Sequence, residues 1–240
     1  MEKLLIQIYY QTNTDLANYY GIFSKGKWNI PNYWDKPCEI CGAVGCATYH
    51  GFYTRHAVDP MTGFSVNDFP VMRFLCNRVG YKFKSVHRTF SLLPSELIPF
   101  RKLSLEYMMQ SVLIRVKRKL SLFKSLDAIS NELCFLSLDI AFVHESALLD
   151  HVDIMTLAAN RLWKFSELFS EFPGFPSDSD NQILLQFLEY CQNYRSARDE
   201  SIRGPPGLAW DYYNLNKNHG RFGAFLFGRP SQKRVRSIRI

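Results

Sequence analysis

The stretch CEICGAVGCATYH, residues 38–50, constrains the fold of this chain more than any other. Cys38 and Cys41 have C-x-x-C spacing and are followed by Gly42, the pattern in which a tight turn offers two thiolates to one metal ion. Structural zinc is tetrahedral and takes four N or S ligands, so two more must come from elsewhere in the chain. After intervening strands the expected place is the end of the second strand, where Cys76 stands. Its C-x-x-C partner position holds Val79, which cannot ligate, and the next donor is His87. The preferred ligand set is therefore Cys38, Cys41, Cys76 and His87, around a structural Zn2+. A rival set keeps the first knuckle and adds Cys46 and His50, a compact C-x2-C-x4-C-x3-H spacing that leaves Cys76 a buried thiol. With no metal bound, Cys46 reads as a small core residue, and His50 and His56 as strand residues.

The residues between the cysteines read as strands. YHGFYTRHAV and FPVMRFLC are rich in aromatic and β-branched residues, and DPMTGFSVND between them supplies Asp, Pro, Gly and Asn for a turn. After Pro94 and Pro99 the period changes. SLEYMMQSVLIRVKRKL (104–120) has helical spacing, with Ser104 as the N-cap and Glu106 in the first turn. Further helical stretches begin at 125, 146 and 181, and Cys134 and Cys191 lie in such apolar stretches as buried small hydrophobes. His144, His151 and His219 read as ordinary surface or helix residues.

These patterns predict an α+β protein in four parts. Residues 1–35 form a lead-in segment and 36–95 a zinc ribbon of short antiparallel strands. Residues 100–202 form a helical domain, and 203–240 a basic aromatic tail. There is no run of about 18 apolar residues of the kind that spans a bilayer. Glu2 and Gln7 interrupt the N-terminal apolar patch, which argues against a signal peptide and for the cytoplasm. In that setting cysteines favour metal over disulfides.

The order CxxC, YHGFYTRH, VMRFLC, then RTFSLLPSELIPFRKLSLE resembles an uncharacterised bacterial family associated with transposons. That family is similar in plan to the N-terminal zinc ribbons of transposases, ending in a C-x-x-C-G-x-T-F-S-x-L-P type motif before a helical region. In this chain HRTFSLLP stands where the family's last Cys and T-F-S-x-L-P stand, so the resemblance itself nominates His87. The departures are the insertion after Cys76 and the exchange of Cys for His. The likeness covers about residues 38–105.

Charge points to a polyanionic partner. The formal charge is +7, and residues 55–120 hold 12 Lys and Arg against 4 Asp and Glu. Residues 125–200 reverse the balance at 4 against 13, and 203–240 return to 8 against 1. The finger NRVGYKFKSVHR carries Arg78, Lys82, Lys84 and Arg88 between aromatics, suited to phosphate contact and stacking. SLDAISNEL (125–133) and TLAANRLWKFSELF (156–169) suggest a helix-turn-helix that presents Arg161 and Lys164, with a plain helical bundle as the alternative. In the tail, Lys233, Arg234 and Arg236 form a phosphate-binding arm. The expected partner is double-stranded DNA, together with other mobile-element proteins, and the expected role is accessory or regulatory. The alternative is a zinc-stabilised protein-interaction adaptor, and after it a catalytic transposase. A closed zinc cannot activate water, and no P-loop, G-x-S-x-G or H-E-x-x-H motif occurs, so the chain reads as a non-enzyme.

Overall fold

The structure is a computed structural model that describes residues 7–10, 16–27, 30, 32–38, 43–78, 89–94, 96–98, 101–133, 144–164 and 180–196. Among these residues it is a mixed helix and sheet protein, as the α+β reading expects. The strands are β1 (Gln7–Tyr10), β2 (Ala47–Asp59), β3 (Phe64–Cys76) and β4 (Thr89–Pro94). The helices are α1 (Leu16–Ser24), α2 (Leu105–Lys117), α3 (Leu122–Leu133), α4 (Glu145–Lys164) and α5 (Asp180–Ser196).

The sheet order is β1-β4-β3-β2, with β2, β3 and β4 antiparallel and β1 parallel to β4. β2 and β3 form a hairpin whose turn is shorter than the sequence suggested. Val58 pairs with Ser65 and Asp59 with Phe64, so Phe64–Asp68 belongs to β3 and only residues 60–63 turn. Asp59 holds that turn by accepting from the Thr62 hydroxyl at 2.7 Å, and Gly63 takes the left-handed φ of 74° that closes it. The segment TFSLLP, read from sequence only as a motif, is a central strand. Phe90 and Leu92 face Phe74 and Met72 across the ladder, which gives the alternation a buried strand face needs.

Alternation along β3 buries both faces of the sheet. Met72, Phe74 and Cys76 join Phe90, Leu92, Ala47, Tyr33 and Cys38 on one side. Phe69 and Val71 join Ala57, Leu16, Tyr19 and Leu97 on the other, where Tyr19 stacks on Phe69 at 5.2 Å. The side chain of Glu96 accepts from the Leu16 amide at 3.0 Å, placing a carboxylate at the N-terminus of α1.

α2 is the centre of the helical layer. Every residue from Leu105 to Ile114 is buried except Gln110, so the helix is covered on nearly all sides. The Ser104 hydroxyl caps it by accepting from the Tyr107 amide, as the sequence predicts. At its other end Lys119 takes a φ of 52°, while Lys119 N donates to Val116 O and Leu120 N to Arg115 O. That is a Schellman closure with lysine where glycine is usual. α4 runs unbroken through residue 156, so TLAANRLWK continues a 20-residue helix instead of starting a separate recognition helix. The stretch 134–143 between α3 and α4 lies outside the described residues, as do Cys134, His219 and the whole basic tail with Lys233, Arg234 and Arg236.

Sheet and helices meet at the hairpin tip. Val58 N donates to Lys102 O at 2.7 Å, and Ser104 N donates to Val58 O at 2.9 Å. Ser104 Oγ also donates to Asp59 Oδ1 at 2.8 Å, tying the turn to the cap of α2. Val58 itself belongs to the apolar cluster of the helices.

Candidate metal centre

The open end of the hairpin, away from the tip, brings three thiols together. Cys76 ends β3, and its partner across the ladder is Ala47, so Cys46 sits one residue before that pair. Asn77 N donates to Cys46 O at 3.0 Å, which extends the pairing by one step and fixes Cys46 beside Cys76. Cys38 arrives from a separate segment. A bridge between Pro37 and Val44 and a hydrogen bond from Cys38 N to Ala43 O at 2.9 Å fold that segment back. Gly45 helps this approach. Its φ is 72°, its amide donates to Tyr33 O, and an added Cβ would stand 3.2 Å from Trp34 O.

The sulfurs of Cys38, Cys46 and Cys76 all lie within 4.8 Å of one another. Cys38 and Cys76 are buried, Cys46 is partly exposed, and none forms a disulfide. The Cys46 and Cys76 sulfurs are 3.8 Å apart. Two sulfurs each about 2.3 Å from a tetrahedral zinc stand about 3.8 Å apart, so this pair already has the edge length such a site requires. A bonded disulfide would need about 2.05 Å. The donor set of three soft sulfurs, buried against Tyr33, Phe74 and Phe90, suits zinc better than a hard cation.

The structure therefore redistributes the sequence candidates. Cys38 and Cys76 meet, but the third member of their group is Cys46, which the preferred set left among the core residues. The reason is register. The β2–β3 ladder runs to Ala47–Cys76 and beyond, carrying Cys46 to Cys76 whatever the sequence distance between them. The rival set is also recast, because His50 is exposed on β2 while Cys76 belongs with Cys46. Cys41 and His87 lie outside the described residues, and so do Lys82, Lys84 and Arg88. Cys191 is fully enclosed in the helical core, and burial pushes its thiol well up, which makes it an inert packing residue.

Of the cations expected to meet nucleic acid, Arg78 is exposed two residues beyond Cys76. Arg161 and Lys164 stand on the last turn of α4. Two further exposed cations are Lys36, two residues before Cys38, and Arg73 on β3, whose guanidinium lies 5.4 Å from the centre of the Tyr53 ring. His151 was read as ordinary and is not, since it is 4% exposed within α4. No spacing marks it in the sequence, because its burial depends on how α4 packs on α2.

Comparison with protein families, with curated proteins and with solved structures finds no match, so the reading of this site rests on its geometry. Among the described residues no helix is long and apolar enough to cross a membrane.

Proposed function

We propose that this chain is a zinc-stabilised DNA-binding protein in which the metal closes the open end of a β-hairpin. The thiol cluster of Cys38, Cys46 and Cys76 carries the reading. Cys41, in C-x-x-C spacing with Cys38, supplies the fourth ligand, with His87 as its competitor. Such a site has no open position, so its contribution is structural: it holds together strands whose local core is small. DNA is bound through the phosphate backbone by the exposed Arg78 and the basic finger that follows it. What supports this part is the net charge of +7 and its concentration in residues 55–120 and 203–240. An accessory role in a mobile element follows from the resemblance of the ribbon motifs.

One observation favours the adaptor reading. Trp34 is 78% exposed and Val44 61%, on two segments joined through the Gly45–Tyr33 hydrogen bond. An apolar pair beside a metal site suits a protein partner.

Two measurements test the proposal. Purified protein should carry one zinc per chain, lost on Cys46→Ser or Cys76→Ser and kept on His50→Ala. Comparing Cys41→Ser with His87→Ala identifies the fourth ligand. Retention of full zinc by Cys46→Ser would overturn the site. Binding to duplex DNA should weaken steeply with salt, because neutralised phosphates release counterions. Absence of DNA binding at low salt, with zinc still bound, leaves the adaptor.

A further inference from the structure

Two of the thiols at the open end of the hairpin have a second chemistry besides metal binding. Cys46 Sγ and Cys76 Sγ are 3.8 Å apart, close enough for one thiol to donate to the other. A disulfide holds its sulfurs about 2.05 Å apart, so the pair must close by a little under about 2 Å. The backbone is already in place for that closure. Cys76 ends β3 and Cys46 immediately precedes β2, and the two strands are joined there by the Ala47–Cys76 pairing and by Asn77 N donating to Cys46 O at 3.0 Å. Neighbouring strands run about 5 Å apart, inside the Cα separation of about 4.4–6.8 Å that a disulfide spans. Only the two side chains have to turn.

Access differs between the two sulfurs. Cys46 is a partly exposed residue, whereas Cys76 is wholly enclosed. A small oxidant arriving from solvent meets Cys46 first, with Cys76 behind it as the resolving thiol. Cys38 lies within 4.8 Å of both but is buried on a separate segment, tied by its own amide to Ala43 O at 2.9 Å.

We propose that Cys46 and Cys76 are an oxidisable pair that hydrogen peroxide joins in a disulfide, with the metal expelled. The Cys46 thiolate attacks one peroxide oxygen and the O–O bond breaks, leaving a sulfenic acid on Cys46 and releasing hydroxide. The Cys76 thiolate then attacks the Cys46 sulfur, the S–S bond forms, and a second hydroxide leaves. Each hydroxide takes up a proton, so two electrons pass from the sulfurs to the peroxide, which ends as two waters. Both thiolates are then lost to the metal, and zinc departs. The new bond joins the strand ends that the metal joined and leaves Cys38 out. Expulsion of zinc rests on the metal site proposed above, whereas the bond between the two sulfurs does not.

The zinc content of the full chain, freed of reductant, is measured first. Hydrogen peroxide is then added in slight excess while released zinc is followed with a chromophoric chelator. One disulfide should form per zinc released, the intact mass should fall by two hydrogens, and dithiothreitol should restore both thiols and zinc binding. Trypsin cuts after Lys27, Arg55, Arg73 and Arg78 but not before Pro37, so the bond should link residues 74–78 to 28–55. Fragmentation of that linked pair should place it at Cys46. In Cys46→Ser the same treatment should leave Cys76 open to alkylation. A bond from Cys76 to Cys38 or Cys41, or oxygen added to Cys46 with Cys76 still alkylated, would overturn the pair. A chain that carries no zinc yet joins Cys46 to Cys76 upholds the pair and refutes the metal site. One that carries zinc and forms no such bond refutes the pair and leaves the metal site standing.

Discussion

The two ends of the β2–β3 hairpin are held by different chemistry. At the tip, Asp59 and Val58 are tied to Lys102 and Ser104 by backbone and side-chain hydrogen bonds, and Val58 enters the helical core. At the open end, a small cluster of Tyr33, Phe74 and Phe90 surrounds three thiols. The tip leans on a large apolar core, whereas the open end has few side chains to bury, and the proposed zinc would cross-link it. Small cores need a staple, and metal is one of the few available.

Removing the proposed zinc should break this contrast most visibly. Chelation, or Cys76→Ser, is expected to speed amide exchange in residues 47–54 and 71–76 by several orders of magnitude. Protection in α2 should persist. Equal loss of protection at both ends would mean that the hairpin and helices form one cooperative unit whose stability is set by the thiols.

Truncating an aromatic in each core comes next. Phe74→Ala at the open end and Phe187→Ala in the helical cluster should each cost about 3–5 kcal/mol in denaturant melts, since both side chains are almost wholly enclosed. Zinc should offset part of the Phe74 loss and none of the Phe187 loss.

A pH titration separates the two ends by a third route. Burial, with the Arg101 charge second, lowers the pKa of His151 from its ordinary 6.5 to about 4. The unfolded chain therefore takes up a proton that the folded chain refuses, and stability falls as pH drops from 6.5 towards 4. The expected loss is about 3 kcal/mol across that window, to be read as the difference in slope between the native chain and His151→Gln. Arg101, Lys102 and Asp150 line the same cavity as this imidazole.

The smallest effects lie at the ends of α2. Ser104→Ala should cost about 1 kcal/mol through the lost cap, and its effect should not add to that of Asp59→Ala, because the two side chains share one hydrogen bond. Lys119→Gly should gain about 0.5–1 kcal/mol by relieving the left-handed backbone at φ 52°. Both are read from thermal or urea midpoints.

Much of the secondary structure was legible because it is local. Alternation gave the strands around 49–58 and 69–76, and helical period gave the stretch from 104. Ser104 announced the cap by its type and position. The turn was read too long, since Ser65, Asn67 and Asp68 look like loop until the register shows that β3 begins at Phe64. TFSLLP was missed as a strand because six residues ending in a proline carry little period. At the thiol cluster the supply of cysteines was visible and the membership was not. C-x-x-C spacing draws attention to neighbours in sequence, whereas Cys46 meets Cys76 across 30 residues.

By itself, then, the amino-acid order determined which segments extend, which coil, where α2 begins, and that a surplus of thiols precedes β2. Only the tertiary structure decided that Cys46 joins Cys38 and Cys76, that β1 adds in parallel beside β4, and that His151 is sealed against Tyr107 beside a cavity. Local propensities act over a few residues, while ladder register and helix packing set distances between groups far apart in the chain, and a site made of such groups exists only once the faces have closed.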